Sequence, residues 1–161
     1  MVKVAKAIRK INYIGFILSS SLIFLMSLFV TYGVIMRYFL NSPPIWVNEI
    51  GGYLLVITAF LAAGYTLNQG GHIRIDSLDS KLPPLISKIF FIINHLAVLS
   101  FSLGLTWFGA AMAYGSYSLN WKASTMLATP LYIPQAFIPL GGLLLSLQVI
   151  GLMIEQWTIN E

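Results

Sequence analysis

The 161-residue sequence contains no cysteine, and only 9% of its residues are charged. The absence of cysteine excludes disulfides, thiolate catalysis and cysteine-ligated metals. With 58% hydrophobic residues, too little polar surface remains for a water-soluble fold. The net charge of +4 would suit an anionic partner, but four of the nine basic residues lie in the first ten positions. Membrane orientation explains that cluster better than nucleic acid does, so no nucleic-acid partner is expected.

Long apolar stretches fill most of the chain. Ile11–Met36, Ile89–Trp121 and Ala123–Ile154 carry no charged residue, and Trp46–Asn68 carries only Glu49. About 20 apolar helical residues cross a bilayer core, where lipid offers the backbone no hydrogen-bond partners. The sequence predicts an all-α integral membrane protein with four transmembrane helices, forming one domain over 1–161. The predicted helices cover residues 11–36, 46–68, 85–117 and 134–156.

The distribution of lysine and arginine predicts the orientation, because basic loops remain in the cytoplasm. The N-terminal tail holds four of these residues and the connection after helix 2 holds three. The other two connections hold one each, Arg37 and Lys122. Both termini are thus predicted to be cytoplasmic, with Trp46 at the outer boundary. The first apolar stretch exceeds the 7–15 residues of a signal-peptide core, so an uncleaved helix is expected.

Helix 3 poses a length problem, since Ile89–Trp121 as one helix would measure about 50 Å. It must tilt strongly, extend past the membrane or break near Gly115. Three prolines between residues 123 and 139 predict an irregular or short interfacial piece before helix 4. Pro83-Pro84 suits the start of helix 3. The segment between helices 2 and 3 is predicted to lie at the membrane surface.

Arg37 and Glu49 are the main polar candidates. Arg37 ends helix 1 and Glu49 lies in the first turn of helix 2, so each charge suits the dipole of its helix end. The short connection predicts that the two side chains come within ion-pair reach. The pair has two interpretations: a link that holds the first helical hairpin together, or a contact with a partner protein on the outer side.

His72, Arg74 and Asp76 alternate with apolar residues directly after helix 2. Alternate residues of an extended segment point the same way, so these three side chains are expected on one side of an ordered segment. A membrane haem would need histidines that face each other from helices, whereas His72 is in a loop and His95 in helix 3. No cofactor, metal or catalytic residue is expected.

The middle of the predicted helices is nearly free of charge, and no internal repeat is visible. Transporter sites need polar groups or broken helices near the bilayer midplane, usually at a repeat interface. This favours an accessory or scaffold subunit over a carrier or an enzyme. A membrane anchor of a respiratory complex remains the alternative.

Three parts of the sequence resemble the small membrane subunit of tripartite ATP-independent periplasmic (TRAP) transporters. These are Arg37-Tyr38-Phe39 with Trp46-Val47-Asn48-Glu49 and Tyr53, then Gly71-His72-Ile73-Arg74-Ile75-Asp76, and last Ser124-Thr125-Met126-Leu127 with Pro134 and Pro139-Leu140-Gly141. Their order, spacing and four-helix frame carry the resemblance. The family often has a Glu-Glu pair at the start of helix 2, and this sequence has Asn48 in place of the first Glu. It also has Gly52 where an Arg often follows in the family.

The resemblance implies a heteromeric importer of the bacterial cytoplasmic membrane. Its large permease carries the solute, typically an organic acid anion, with coupling ions that are usually sodium. A periplasmic substrate-binding protein delivers the solute. The small subunit would brace the large permease among the membrane lipids, and Arg37, Trp46, Glu49, His72, Arg74 and Asp76 would be structural or partner-contact residues.

Overall fold

The computed structural model describes residues 2–69 and 84–159. In this part of the chain, regular structure is helical apart from one isolated antiparallel bridge between Lys122 and Pro130. Four of the helices are long and apolar enough to cross a membrane, which confirms the predicted all-α fold. The elements are α1 (Val2–Tyr38), α2 (Ile45–Asn68), α3 (Pro84–Ser118), α4 (Tyr132–Gln135) and α5 (Phe137–Ile159).

Helix α1 is longer than the sequence predicted, since it begins at Val2 and not at Ile11. The prediction began the helix where the charges end, but helical hydrogen bonds are internal to the segment and do not require lipid. The basic first turns therefore continue the helix beyond the apolar stretch. Helix α2 begins at Ile45, one residue before its predicted start, and ends at Asn68 as predicted.

Helix α3 runs unbroken for 35 residues through Gly115, so the predicted possibility of a break there is wrong. It starts at Pro84, as expected of a residue whose missing N–H costs least in a first turn. It ends in a left-handed cap, where Asn120 has φ 50° and the Trp121 amide donates to the Ser116 carbonyl over 2.9 Å.

Helix 4 of the prediction is divided into the single turn α4 and the spanning helix α5, with Ala136 between them. Pro139 stands in the first turn of α5 and has no N–H to donate to a carbonyl of α4. The expected irregular piece before it is confirmed between residues 119 and 131.

Helix α5 is central, because it packs against α1, α2 and α3, whereas α1 and α2 form an antiparallel pair. In the most apolar 18-residue stretch of Tyr132–Glu155, 39% of the residues are buried, against 6% in the corresponding stretch of Ile89–Ser118 in α3. Small residues permit the close crossings. A Cβ on Gly141 of α5 would lie 2.5 Å from the Cβ of Phe60 of α2.

The buried interior of the described residues contains many polar side chains. Its polar members are Asn12, Ser19, Thr58, Ser102, Ser116, Ser146 and Gln148, while large apolar side chains such as Trp107 and Phe108 are exposed. A bilayer permits this arrangement, because lipid solvates exposed apolar side chains and buried polar groups can bond across helices, as Asn12, Ser19 and Gln148 do. We call the end of the bundle that contains the α1–α2 connection the hairpin end. The opposite end, where α1 begins and α5 ends, is called the terminal end.

Candidate functional site

A carboxylate cluster lies at the hairpin end and consists of Glu49, Tyr53 and Thr129. Glu49 is half-buried near the start of α2. Its Oε1 accepts a hydrogen bond of 2.8 Å from the Tyr53 hydroxyl one turn later, and another of 2.8 Å from the Thr129 hydroxyl. Thr129 is 80 residues away in the sequence, so this carboxylate ties α2 to the connection between α3 and α5.

That connection is a closed loop whose two ends are joined by backbone hydrogen bonds. The Ala123 amide donates to the Thr129 carbonyl over 2.9 Å, and the Leu131 amide to the Trp121 carbonyl over 3.1 Å. At its tip Ala128 is in the left-handed region, with φ 45°. Backbone pairing thus fixes Thr129 where its side chain reaches Glu49.

An open cleft of about 450 Å³ adjoins the cluster, and Arg37, Glu49 and Thr125 contribute to its wall. The second carboxylate oxygen, Oε2, is buried and makes no hydrogen bond of good geometry with the described residues, although Thr125 lies close to the carboxylate. Arg37 and Glu49 share this cleft but form no ion pair within 4 Å in the described part of the chain. The predicted direct pair is therefore wrong: Tyr53 and Thr129 hold the carboxylate instead.

Trp46 and Val47 hold the hairpin end together by packing. The Trp46 ring lies against two rings of α1, with centroids 5.4 Å from Phe29 and 5.9 Å from Tyr32. The buried Val47 fills the space over Gly33, where an added Cβ would lie 2.9 Å from a Val47 methyl. Aromatic and close glycine contacts thus provide the link that the sequence had led us to expect from opposite charges.

A chain of side-chain amides crosses the terminal end, and the sequence reading missed it. The Asn12 amide nitrogen donates to Gln148 Oε1 over 2.9 Å, and Gln148 Nε2 donates to Asn68 Oδ1 over 3.0 Å. These three residues, the amide chain, connect α1, α5 and α2. Gly64 leaves room for it, because an added Cβ would collide with Asn12 Oδ1.

A spacing signal in α1 points to the amide chain. The buried face of α1 consists of positions three or four apart, namely Ala5, Ile8, Asn12, Gly15 and Ser19. That period marks one helix face. Ser19 on this face donates to the Thr58 carbonyl of α2 over 2.8 Å. Small and polar residues at this period in an apolar stretch therefore indicate a helix–helix contact.

Two further predictions from the sequence concern the segment after α2 and His95. His72, Arg74 and Asp76 lie outside the described residues. His95 Nδ1 pairs with the Phe91 carbonyl of its own helix at 2.8 Å, and its ring stacks on Phe91. Within the ranges 2–69 and 84–159, no three His, Cys, Asp or Glu side chains converge as a metal site would require.

The two clusters lie about 28 Å apart along α2, from Glu49 to Asn68 at 1.5 Å per residue. This is close to the thickness of a bilayer core. Between them, the described spanning helices contain no Asp, Glu, Lys or Arg. The fold defines a multi-pass helical membrane protein that is held together by neutral polar contacts and has a carboxylate at one boundary.

Comparison with known proteins identifies the family. Residues 26–159 match the family model of the DctQ component of tripartite ATP-independent periplasmic transporters, and the chain belongs to this family. It is thus a small permease subunit of the TRAP type and a multi-pass protein of the bacterial inner membrane.

Two relatives support the assignment. A Haemophilus influenzae protein named for a TRAP transporter small permease is 36% identical over 83 residues, 52% of each chain. The ectoine TRAP transporter small permease protein TeaB of Halomonas elongata is 23% identical over 139 residues, which are 86% of this chain and 72% of that protein. The match to the Haemophilus protein thus spans about half of that protein's length.

Proposed function

We propose that this subunit works with a large permease and a periplasmic binding protein to import an organic acid anion, coupled to sodium. It braces the large permease and does not itself form the solute path. Family membership supports the assembly. It also favours this role over a respiratory membrane anchor, for which the described residues offer no pair of histidines on facing helices.

The observation that carries the scaffold role is the charge-free middle of the bundle. Between the terminal and hairpin ends, the polar side chains of the described helices are neutral, and the buried ones bond to neighbouring backbone or to each other. Thr106, for example, donates to the Ser102 carbonyl of its own helix. An organic anion and a coupling cation need exposed polar ligands near the midplane, and this interior is packed without them.

The contact with the partner is proposed at the carboxylate cluster. Glu49 and Arg37 line the open cleft at the hairpin end, and Glu49 Oε2 is buried without a hydrogen bond of good geometry among the described residues. A partner side chain that donates to Oε2 would satisfy a buried acceptor, which is worth more than an exposed ion pair. Trp46 would support this contact by fixing the start of α2.

The absence of cysteine makes a direct test possible, because any introduced thiol is unique. We expect Ser102→Cys, fully buried on α3, to resist a hydrophilic thiol reagent in the reconstituted transporter, with or without solute and sodium. Ser42→Cys, exposed in the α1–α2 connection, serves as the reactive control. If Ser102→Cys reacts and added solute protects it, the solute path runs through this subunit and the scaffold role is wrong.

The orientation is proposed with both termini in the cytoplasm. Ser42→Cys and Gln69→Cys lie at opposite ends of α2 and are both exposed. A membrane-impermeant thiol reagent should label the first and not the second in intact cells, and both after lysis. Labelling of Gln69→Cys alone in intact cells would reverse the topology.

The segment with His72, Arg74 and Asp76 stays a prediction. Arg74→Ala or Asp76→Ala is expected to lower the amount of assembled transporter without changing its solute preference. Unchanged assembly and uptake after substitution of all three polar residues would make the segment a passive linker.

A further inference from the structure

An open cleft of about 570 Å³ lies at the terminal end between α1 and α2. Three basic side chains of α1 line one side, and two tyrosines and two amide side chains line the rest. The lining residues are Lys6, Arg9, Lys10, Tyr13, Tyr65, Asn68 and Gln69. Neither the carboxylate cluster nor the proposed transport role makes use of this cleft.

The cleft is strongly positive. Arg9 pairs with Glu155 of α5 through two hydrogen bonds of 2.7 and 2.8 Å. Lys6 and Lys10 are exposed and form no ion pair with any residue in 2–69 or 84–159. No acidic side chain lines the cleft in this part of the protein. Two ammonium groups therefore line the same space with no counter-charge among the described residues, which favours an anionic occupant.

The cleft also has a polar mouth and an aromatic wall. Lys10, Tyr13 and Phe16 follow one another at three-residue intervals from the basic turns of α1 toward its apolar stretch. The Tyr65 ring stacks on Phe16 with centroids 4.3 Å apart, and lies 5.7 Å from the Tyr13 ring. Such a wall suits an acyl chain at the level where tyrosines occupy the membrane boundary.

A hydroxyl donor completes the mouth. The Gln69 amide donates to the Tyr65 hydroxyl oxygen over 2.7 Å, and Tyr65 donates to no described residue. Its proton is thus free to bond a phosphate oxygen. Hydrogen bonds between such donors and an ionised acceptor are roughly twice as strong as neutral ones.

We propose that this cleft binds the phosphate group of an anionic glycerophospholipid. Lys6, Lys10 and the Tyr65 hydroxyl contact the phosphate, and an acyl chain lies along Tyr13 and Phe16. Basic pockets between transmembrane helices bind anionic headgroups by this combination of charge and amphipathic shape. The lipid would join the start of α1 to the end of α2.

Native mass spectrometry of the purified full-length chain tests the proposal with phosphatidylglycerol and phosphatidylcholine of identical acyl chains. We expect the bound fraction to favour phosphatidylglycerol. Each basic residue near an anionic surface contributes about 1 kcal/mol, so Lys6→Gln and Lys10→Gln should each weaken phosphatidylglycerol binding about five-fold. Phosphatidylcholine binding should not change. Tyr65→Phe should cause a smaller loss, because it removes one hydrogen bond and keeps the ring.

Two controls separate a built site from general surface charge. Lys122→Gln removes a basic residue at the opposite end and should leave binding unchanged. The exchange Lys10→Ile with Ile11→Lys preserves composition and net charge but moves the ammonium about 100° around α1. Ile11 is exposed and outside the cleft lining, so the exchange should weaken binding as much as Lys10→Gln.

Three results would overturn the proposal. Equal binding of the two lipids would show that the cleft does not select anionic headgroups. If the exchange variant kept the full preference for phosphatidylglycerol over phosphatidylcholine, only the total charge of the protein would matter. Displacement of phosphatidylglycerol by an equal concentration of inorganic phosphate would show a free-anion site that makes no use of the acyl chain.

Discussion

The two ends of the bundle hold polar groups of different kinds. At the terminal end, the amide chain of Asn12, Gln148 and Asn68 joins three helices through neutral groups that bond to each other. At the hairpin end, the Glu49 carboxylate accepts hydrogen bonds from two hydroxyls and borders an open cleft. Each arrangement leaves one buried oxygen without a hydrogen bond among the described residues, Asn12 Oδ1 at the terminal end and Glu49 Oε2 at the hairpin end, but only Glu49 can carry a charge. From this difference comes the proposed division of roles, in which the amide chain serves folding and the carboxylate cluster serves assembly.

The largest expected effect comes from breaking the amide chain by steric conflict. Gly64→Ala places a Cβ against Asn12 Oδ1 and 3.0 Å from the Leu144 carbonyl oxygen. Overpacking costs about 1–3 kcal/mol, which outweighs the gain of about 1 kcal/mol in helix propensity. We expect a lower free energy of unfolding in detergent titrations.

Gly51→Ala on the same helix is the matched control, because its Cβ would meet no atom within 4 Å. That variant should be neutral or slightly stabilising. Equal behaviour of the two alanine variants would mean that Gly64 does not create space for the amide chain.

A smaller effect is expected from removing a hydrogen bond without changing the packing at Gly64. Gln148→Leu takes away the interhelical partner of Asn12 and of Asn68, while Asn12 keeps its bond to the Ile8 carbonyl of its own helix. Interhelical hydrogen bonds in membranes average about 0.6 kcal/mol. The loss should be about 1 kcal/mol. In a double-mutant cycle, Gln148→Leu and Asn68→Leu should be coupled.

Thr66→Ala provides the comparison for this cycle, since among the described residues the exposed Thr66 bonds only the Ala62 carbonyl of its own helix. It should be additive with Gln148→Leu. Coupling of the same size in both cycles would assign the effect to general loosening of α2.

The smallest effect concerns the ion pair between Arg9 and Glu155, which joins the first turns of α1 to the end of α5. Both side chains are partly exposed, at 50% and 32%, so solvent screens their attraction. Arg9→Lys replaces a two-bond contact by a single point charge. We expect a change within about 0.5 kcal/mol in the free energy of unfolding. A loss above about 2 kcal/mol would make this pair a main support of the terminal end.

The sequence predicted the spanning helices because the length of an apolar stretch alone identifies them. The ends of α2 were predicted to within one residue, and Pro83-Pro84 predicted the start of α3. It did not predict the basic start of α1, since charge marks the membrane boundary and not the end of a helix. The pairing of Arg37 with Glu49 was inferred from proximity along the chain. Thr129 lies 80 residues further on, and no local pattern connects it to Glu49.

The amide chain was missed for the same reason. Asn12 and Gln148 are 136 residues apart, and each is a single polar residue in an apolar stretch. Their contact depends on how α5 inserts between α1 and α2, which follows from packing at positions such as Gly64 and Gly141. Periodicity identifies the face of α1 that is buried but not the side chain that it meets.

The central claim, that the carboxylate cluster serves assembly and the amide chain serves folding, is tested by one paired measurement. Two quantities are measured for Glu49→Gln and for Gln148→Leu. The first is the free energy of unfolding of the isolated subunit, and the second is the amount of large permease that co-purifies per folded subunit. We predict that Glu49→Gln retains stability, because its amide oxygen still accepts from Tyr53 and Thr129, and loses bound permease. Gln148→Leu should lose stability and retain permease in proportion to the folded subunit. The reverse pattern, or loss of both properties in both variants, would contradict the account.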